Sequence, residues 1–356
     1  VEGVNVTVLE KKQMPRVKPC GGALVGAFFD WLPEGIDLTS VIEDQVTTAT
    51  VGLWGKHSVE IPLEKPIAMV QRYLLDSHLI RQAIRQGATL VQEASVVDLT
   101  RGDDRWYVHT AEEVYRAQVV VGADGAYSTI ARLSGLGDKR SIFIASEWDV
   151  DVPPTVMDQW QGTMAIDFSL EFKGYAWVFP KPRTGILNIG FGSPKRLASH
   201  VHERTEIYAK IRGLDGWPAT KKAHWVPTAL PGATAVNPDG IMLIGDAAGL
   251  IDPATEEGLS WAARSSSAAA ISIFQTMAEG RPELSFYQES YAQMVQELQD
   301  SKALRNVLMS SFLWKRRLNL EILHEVVNIV SGDLPTTYSN WATAHPKQKR
   351  IGAAIE

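Results

Sequence analysis

Two stretches of this chain run an apolar strand straight into a glycine–aspartate turn and then into a helix, and few folds accommodate that pattern twice. VVVGADGAYSTIARL (119–133) closes a run of small apolar residues in Gly-Ala-Asp-Gly and puts Ser128 and Arg132 on the helix that follows. IMLIGDAAGLIDPATEEGLSWAA (241–263) does the same through Gly245-Asp246 and reaches its helix near Glu257 and Gly258. A strand that delivers a carboxylate at the carboxyl end of a sheet, followed by the positive end of a helix, is how open α/β sheets hold ligands. Asp246 therefore reads as an acceptor for a hydroxylated ligand, and Gly249 as a point of close backbone approach. The alternative is a plain strand–turn–helix with Asp246 as an N-cap.

The remaining segments sort by period. VEGVNVTVLEKK begins as an alternating strand, Val4, Val6 and Val8 against Asn5 and Thr7, closing in Glu10. VTTATVGLW, Gly55-Lys56 and SVEIPL predict a hairpin. From Arg72 to Gln86 the apolar residues Leu75, Leu79, Ile80, Ala83 and Ile84 recur at helical spacing, with Gly87 where a C-terminal glycine belongs. Residues 89–122 supply several short strands. Between 141 and 235 the pattern becomes antiparallel-sheet alternation rich in Trp, Pro and Gly (EWDVDVP, GTMAIDFSLEF, GYAWVFP, GILNIGFG), broken by a short helix near 200–212. A long small-residue helix spans GLSWAARSSSAAAISIFQTMAEG, and 285–330 reads as mostly helical.

Composition excludes several function classes. With 45% hydrophobic and 21% charged residues, 356 residues suffice for two or three globular domains. A net charge of -6, with 35 scattered Lys and Arg, gives no basic surface for nucleic acid. Cys20 is the only cysteine, so an intrachain disulfide or a cysteine-cluster zinc site cannot form, and a reducing compartment is the simpler setting. No apolar run approaches the ~18 residues of a membrane span, and no signal peptide precedes the first strand. The expected location is cytoplasmic, with peripheral membrane contact left open, and no metal site is expected.

Three further features admit two readings each. Glu10 closes the second strand of a nucleotide-binding unit, or is a solvated strand end. Cys20 is a small buried hydrophobe, or a thiol placed for chemistry. Tyr175, Trp177 and Phe179 alternate on one strand, so their rings share a face that is either sheet core or the wall of an apolar cavity.

GDAAGLIDP together with GADGAYSTIAR resembles the ribityl-binding and second dinucleotide motifs of FAD-dependent oxidoreductases of the p-hydroxybenzoate-hydroxylase-like fold. KPCGGAL (18–24) and GYAWVFPK (174–181) narrow the resemblance to the geranylgeranyl reductase family, over about residues 1–290. That resemblance implies a mixed α/β fold: a Rossmann-type FAD-binding domain (1–50, 66–140 and 236–284), an inserted antiparallel substrate domain (51–65 and 141–235) and a helical region (285–356). It implies that Asp246 holds the ribityl chain while Gly245, Gly249 and Gly258 shape the turn around the cofactor. Glu10 would bind the adenosine ribose, Arg72 would lie beside the cofactor, and Asp124 and Gly125 would lie near the pyrophosphate and the path of a nicotinamide donor. Tyr175, Trp177 and Phe179 would line a substrate tunnel, with Cys20 and Tyr175 as catalytic neighbours of the proton. The implied reaction is hydride transfer from reduced flavin to a C=C bond of an isoprenoid or similar apolar substrate, with NADPH or another reductant as electron donor. A flavin-dependent monooxygenase or halogenase, and a non-catalytic lipid-binding relative, are the alternatives.

The chain departs from the family pattern twice. Glu256 stands where the family usually shows Gly, which would place a charge beside the flavin pyrimidine edge and oppose an anionic reduced flavin. The first strand and its G-x-G-x-x-G turn are not found in these residues, and GLGD (135–138) follows no suitable strand. That strand is central to a Rossmann-type sheet, so a segment of roughly 30 residues is expected ahead of Val1 in the natural protein.

Overall fold

The computed structural model describes residues 3–54, 58–169, 174–279 and 284–315. The chain opens with β1 (Thr7–Glu10), β2 (Ala23–Leu24) and the short helix α1 (Gly26–Asp30), then forms β3 (Ile42–Leu53) and β4 (Ser58–Val70). Helix α2 (Arg72–Arg85) leads into β5 (Thr89–Gln92), β6 (Val96–Arg101), β7 (Trp106–Thr110), β8 (Val114–Ala117) and β9 (Val120–Gly122), followed by α3 (Thr129–Ser134). The middle of the chain holds β10 (Arg140–Asp151), α4 (Pro154–Met157), β11 (Thr163–Ser169), β12 (Gly174–Lys181), β13 (Ile186–Pro194), α5 (Val201–Ile211) and β14 (Ala219–Ala229). It ends in β15 (Val236–Asn237), β16 (Ile241–Leu243), α6 (Leu259–Glu279) and α7 (Ser285–Lys315). The hairpin turn at Gly55-Lys56 and everything beyond 315 lie outside the described residues.

Local chemistry accounts for the helix ends. Helix α2 stops where Gly87 takes φ +97°, a left-handed conformation that costs little only in glycine. Helix α3 starts at Ser128, whose Oγ accepts the Ala131 N–H at 2.8 Å, and ends on Gly135 at φ +71°.

Four sheets result. Eight strands form the largest, in the order β14-β10-β13-β12-β11-β3-β4-β2, all antiparallel except the β11–β3 pair. Strands β3 and β4 belong to it over their whole length, so it takes residues 42–50 and 66–70 as well as the expected 51–65. β16 pairs in parallel with β9, as two consecutive strand–turn–helix units require, and β15 completes that sheet. β1 pairs in parallel with β5 alone, and β6-β7-β8 form a separate meander. Residues 7–10 and 119–121 border one cavity of about 2490 Å³, which also runs under the eight-stranded sheet.

Helices α6 and α7 pin the second glycine–aspartate turn from behind. Ser265 Oγ accepts the Gly245 N–H at 3.0 Å, Tyr291 Oη donates to the Ala248 carbonyl at 3.0 Å, and Tyr287 Oη donates to the Leu243 carbonyl. Trp261, Tyr287, Met294 and Leu298, all nearly inaccessible, fill the core between these helices and β16. Such burial, about 1.5–3 kcal/mol per large side chain, fixes the turn rather than leaving it to its own loop geometry.

Candidate functional site

The cavity brings together residues far apart in sequence. Glu10, Cys20, Arg72, Asp124, Gly125, Tyr175, Trp177, Phe179, Asp246 and Gly258 all line it. Gly245 and Gly249 do not: a Cβ at Gly245 would meet the Ala262 methyl of α6 at 3.2 Å, and one at Gly249 the Ala229 nitrogen of β14 at 3.0 Å. Both take positive φ, +54° and +72°, so these glycines serve the turn and its packing rather than opening a path to the cavity.

Asp246 stands at the carboxyl end of β16 and faces the cavity with Lys18 Nζ 3.2 Å from Oδ2. Burial alone would raise its carboxyl; Lys18 and Arg72 together outweigh this and hold it below the ordinary 3.8. A Cβ at Gly258 would stand 3.4 Å from Asp246 Oδ1, so glycine there keeps the carboxylate uncrowded. His224 lies nearby on β14, pushed down to about 4 by burial against the opposing pull of Asp246.

The other acidic residues are held by the protein itself. Glu10 accepts the Lys12 N–H at 3.0 Å and Arg16 Nε at 2.8 Å, and Arg16 bridges on to Asp76, the bidentate partner of Arg72. Asp124 accepts the N–H groups of Thr129 (2.6 Å) and Ile130 (3.1 Å) and the Ser128 hydroxyl (2.5 Å). Asp124 is thus foremost a cap for α3 at the cavity rim.

On one face of the eight-stranded sheet lie three rungs of directly opposed residues, of which His224, Ala145, Tyr175, Trp177 and Phe179 line the cavity. The rungs read His224–Ala145–Gly192–Tyr175, Lys222–Glu147–Gly190–Trp177 and Thr220–Asp149–Asn188–Phe179. The two glycines make room: a Cβ at Gly190 would stand 2.1 Å from Trp177 Cζ2, so the indole lies directly on that backbone. Tyr175, Trp177 and Phe179 form a continuous row, with centroids 5.9 and 6.2 Å apart. Trp177 is only 5% exposed and donates Nε1–H to Asn188 Oδ1 at 2.8 Å, so it is both cavity wall and sheet core. The Tyr175 hydroxyl donates to the Thr255 carbonyl, which occupies its proton.

Lys181 continues the same alternation and is buried below the Cys20-Gly21-Gly22 turn. A Cβ at Gly22 would lie 2.1 Å from the Val70 carbonyl oxygen and 3.3 Å from Lys181 Nζ, while one at Gly21 would strike the Phe179 ring at 2.8 Å. Cys20 donates its N–H to Glu147 Oε1 at 2.8 Å and receives the Gly22 N–H on Sγ at 3.4 Å. Burial pushes Glu147 up to about 7 against the pull of Lys181, and pushes Lys181 down in spite of Asp149 and Glu147. Lys18, Glu147, Lys181 and His224 escaped sequence reasoning. Lys181 alone carried a signal, since its parity matches the ring row.

Glu256 lines the cavity with its carboxyl over Gly192. Burial pushes it up to about 8, so at neutral pH it is mostly protonated, and the opposition expected from its charge develops as pH rises through that value. Among the described residues no cluster of His, Cys, Asp and Glu could hold a metal ion, and no helix is long and apolar enough to cross a membrane.

A cavity with a carboxylate beside an uncrowded glycine, acidic groups at its far rim and an apolar wall suits a long ligand that is hydroxylated in part. FAD fits that description: Asp246 and Gly258 would meet its polyol chain, and Glu10 its nucleotide end.

No protein-family model matches the chain. The digeranylgeranylglycerophospholipid reductase of Thermoplasma volcanium is 28% identical over 291 residues, covering 76% of this chain and 70% of that protein. The geranylgeranyl diphosphate reductase of a Synechocystis species is 28% identical over 304 residues, covering 78% and 72%. Among solved structures, a geranylgeranyl bacteriochlorophyll reductase-like protein from Thermoplasma acidophilum superimposes with a TM-score of 0.77 at 21% identity, covering 99% of this chain and 94% of that one. A flavin-dependent brominase superimposes at 0.70 and 20% identity, covering 97% and 94%. By sequence the chain is similar to geranylgeranyl-type reductases, and its α/β fold is one that solved flavin-dependent enzymes also have.

Proposed function

We propose that this protein is an FAD-dependent oxidoreductase that reduces C=C bonds of a prenyl lipid or similar apolar chain. The observation that carries this reading is the ring row of Tyr175, Trp177 and Phe179, which faces the same cavity as Asp246 and Cys20. When bound, the flavin supplies the hydride; NADPH or another reductant would recharge it. The chain's own part is positioning, exclusion of water and proton supply. Asp246 and Glu10 would bind hydroxyl groups, and the row of rings gives a hydrocarbon an apolar surface in register with the polar end of the cavity. An isolated alkene accepts hydride poorly unless a proton arrives with it, and a dry wall keeps that proton from exchanging with water. The Cys20 thiol, held by Glu147 through its backbone N–H, lies at one end of this wall.

Fold likeness to brominases favours a flavin-dependent monooxygenase or halogenase as the second reading. Denaturing the purified protein and identifying released flavin and lipid by mass spectrometry separates the two, since only the reductase reading requires a bound prenyl chain. Asp246→Ala should lower FAD affinity by about 10- to 150-fold, the equivalent of ~1.5–3 kcal/mol for a hydrogen bond to a charged group. Full FAD content in that variant would remove the role given to Asp246.

A further inference from the structure

Glu256 combines three properties that do not ordinarily occur together. Its φ is +57°, in the left-handed region where a side chain is strained, and the turn holds it there through the Glu256 N–H on the Asp252 carbonyl at 2.8 Å. Its carboxyl takes the place of a side chain at position 192: a Cβ on Gly192 would lie 2.3 Å from Oε2 and 2.8 Å from Oε1. Gly192 is the cross-strand partner of Tyr175, so the carboxyl stands at the head of the ring row. Finally, it takes part in no hydrogen bond with any described residue.

The surroundings keep this acid neutral. Burial raises it to about 8, with Arg305 of α7 opposing. Arg305 is itself engaged by the Pro253 carbonyl and Asn306, and it lies over the Phe143 ring. From β12 the facing polar group is the Tyr175 hydroxyl, bonded to Thr255; β13 and β10 present Gly192 and Ala145, which carry no charge. In the same turn Asp252 caps Ala254 and Thr255, and Glu257 accepts the Ser260 N–H; burial raises these two carboxyls as well, Glu257 to about 7.

We infer that Glu256 is a catalytic acid of this protein, giving its carboxyl proton to one carbon of the substrate alkene. The inference rests on the reductase reading above. A two-electron hydride donor supplies the other carbon; the π bond breaks, two C–H bonds form, and Glu256 is left as carboxylate until water reprotonates it after product release. Among the cavity hydroxyl and carboxyl groups it is better placed than Tyr175, whose proton already lies on a carbonyl.

The test uses Glu256→Gln, which keeps shape and removes the transferable proton, and Glu256→Gly, which relieves the backbone strain and so guards against misfolding. Infrared titration of the flavin-loaded protein without substrate should show a neutral carboxyl band that disappears near pH 8 and is absent from both variants. With a prenyl substrate and pre-reduced enzyme, the wild-type single-turnover rate should fall about tenfold per pH unit above that point. Both variants should be on the order of 10²–10⁴ slower at neutral pH and lack that limb, with flavin content and lipid binding unchanged. If wild type reduces no prenyl chain, the reductase reading fails and this inference with it. If wild type does so while Glu256→Gln keeps both rate and alkaline limb, or the carboxyl band is gone at neutral pH, the role of Glu256 alone is refuted.

Discussion

Gly190→Ala tests whether the ring row is a fitted wall or ordinary core. Gly190 sits in extended backbone in β13, so alanine meets no conformational barrier, but its Cβ would stand 2.1 Å from Trp177 Cζ2 and 2.5 Å from Cε2 and Cη2. Carbon atoms rest about 3.5–4.0 Å apart, so the indole must shift by more than an ångström. It cannot slide within its plane: Phe179 stacks on one side, Tyr175 stands on the other, and Nε1–H is tied to Asn188 Oδ1. Overpacking costs about 1–3 kcal/mol, and breaking the bond to fully buried Asn188 about 1–3 kcal/mol more, for a loss of roughly 2–6 kcal/mol. Trp177→Ala alone should cost about 3–5 kcal/mol. In that background Gly190→Ala meets no ring and should recover about 0.5–1 kcal/mol, because glycine weakens a strand. Denaturant unfolding of the four proteins gives the coupling directly, expected on the order of 2 kcal/mol or more. Equal costs for Gly190→Ala in both backgrounds would show that this glycine is not there to seat the indole.

Other consequences are simpler to measure. Asp124→Ala removes the carboxylate that accepts two backbone N–H groups and the Ser128 hydroxyl at the start of α3, and should lower stability by about 0.5–2 kcal/mol in a thermal melt; an unchanged Tm would mean that Ser128 caps the helix unaided. Glu257 is raised by burial from an ordinary 4.5 to about 7, so the folded chain keeps a proton that the unfolded chain has released. Its contribution to stability is therefore lost as pH rises through that window. Glu257→Gln keeps the acceptor for the Ser260 N–H, and wild type should lose Tm relative to this variant from about pH 4.5 to about pH 7, then run parallel to it. A gap that widens as pH falls would have the wrong sign.

Much of the architecture was legible because period and punctuation are local properties. The apolar runs ending in Gly-Asp did become β9 and β16, the Arg72–Gln86 pattern did become α2, and the parity of 175, 177 and 179 put all three rings on the cavity face. Pairing partners are not local. Nothing in TTATVGL says that it lies beside TMAIDF, and strand length follows from that pairing, which is why β3 and β4 run past the expected 51–65. Nor does a glycine announce the direction its absent Cβ would take: Gly258 opens toward Asp246, whereas Gly245 and Gly249 turn toward α6 and β14. Buried charge is the least legible of all. Glu147 and Lys181 look like ordinary surface residues until the fold closes over them.

The threading of the two main sheets also sets a timetable for folding. Thr48 finds its parallel neighbour in Thr163, and Val120 finds its own in Ile241. A chain emerging from the ribosome therefore holds β3 with one edge bare until β11 has been made, and β9 without its partner strand until β16 has. Contacts of such sequence separation form slowly, and each waiting edge is a template for the wrong strand. Growth temperature and the supply of chaperones should thus govern the yield of this protein more strongly than the stability of its finished state.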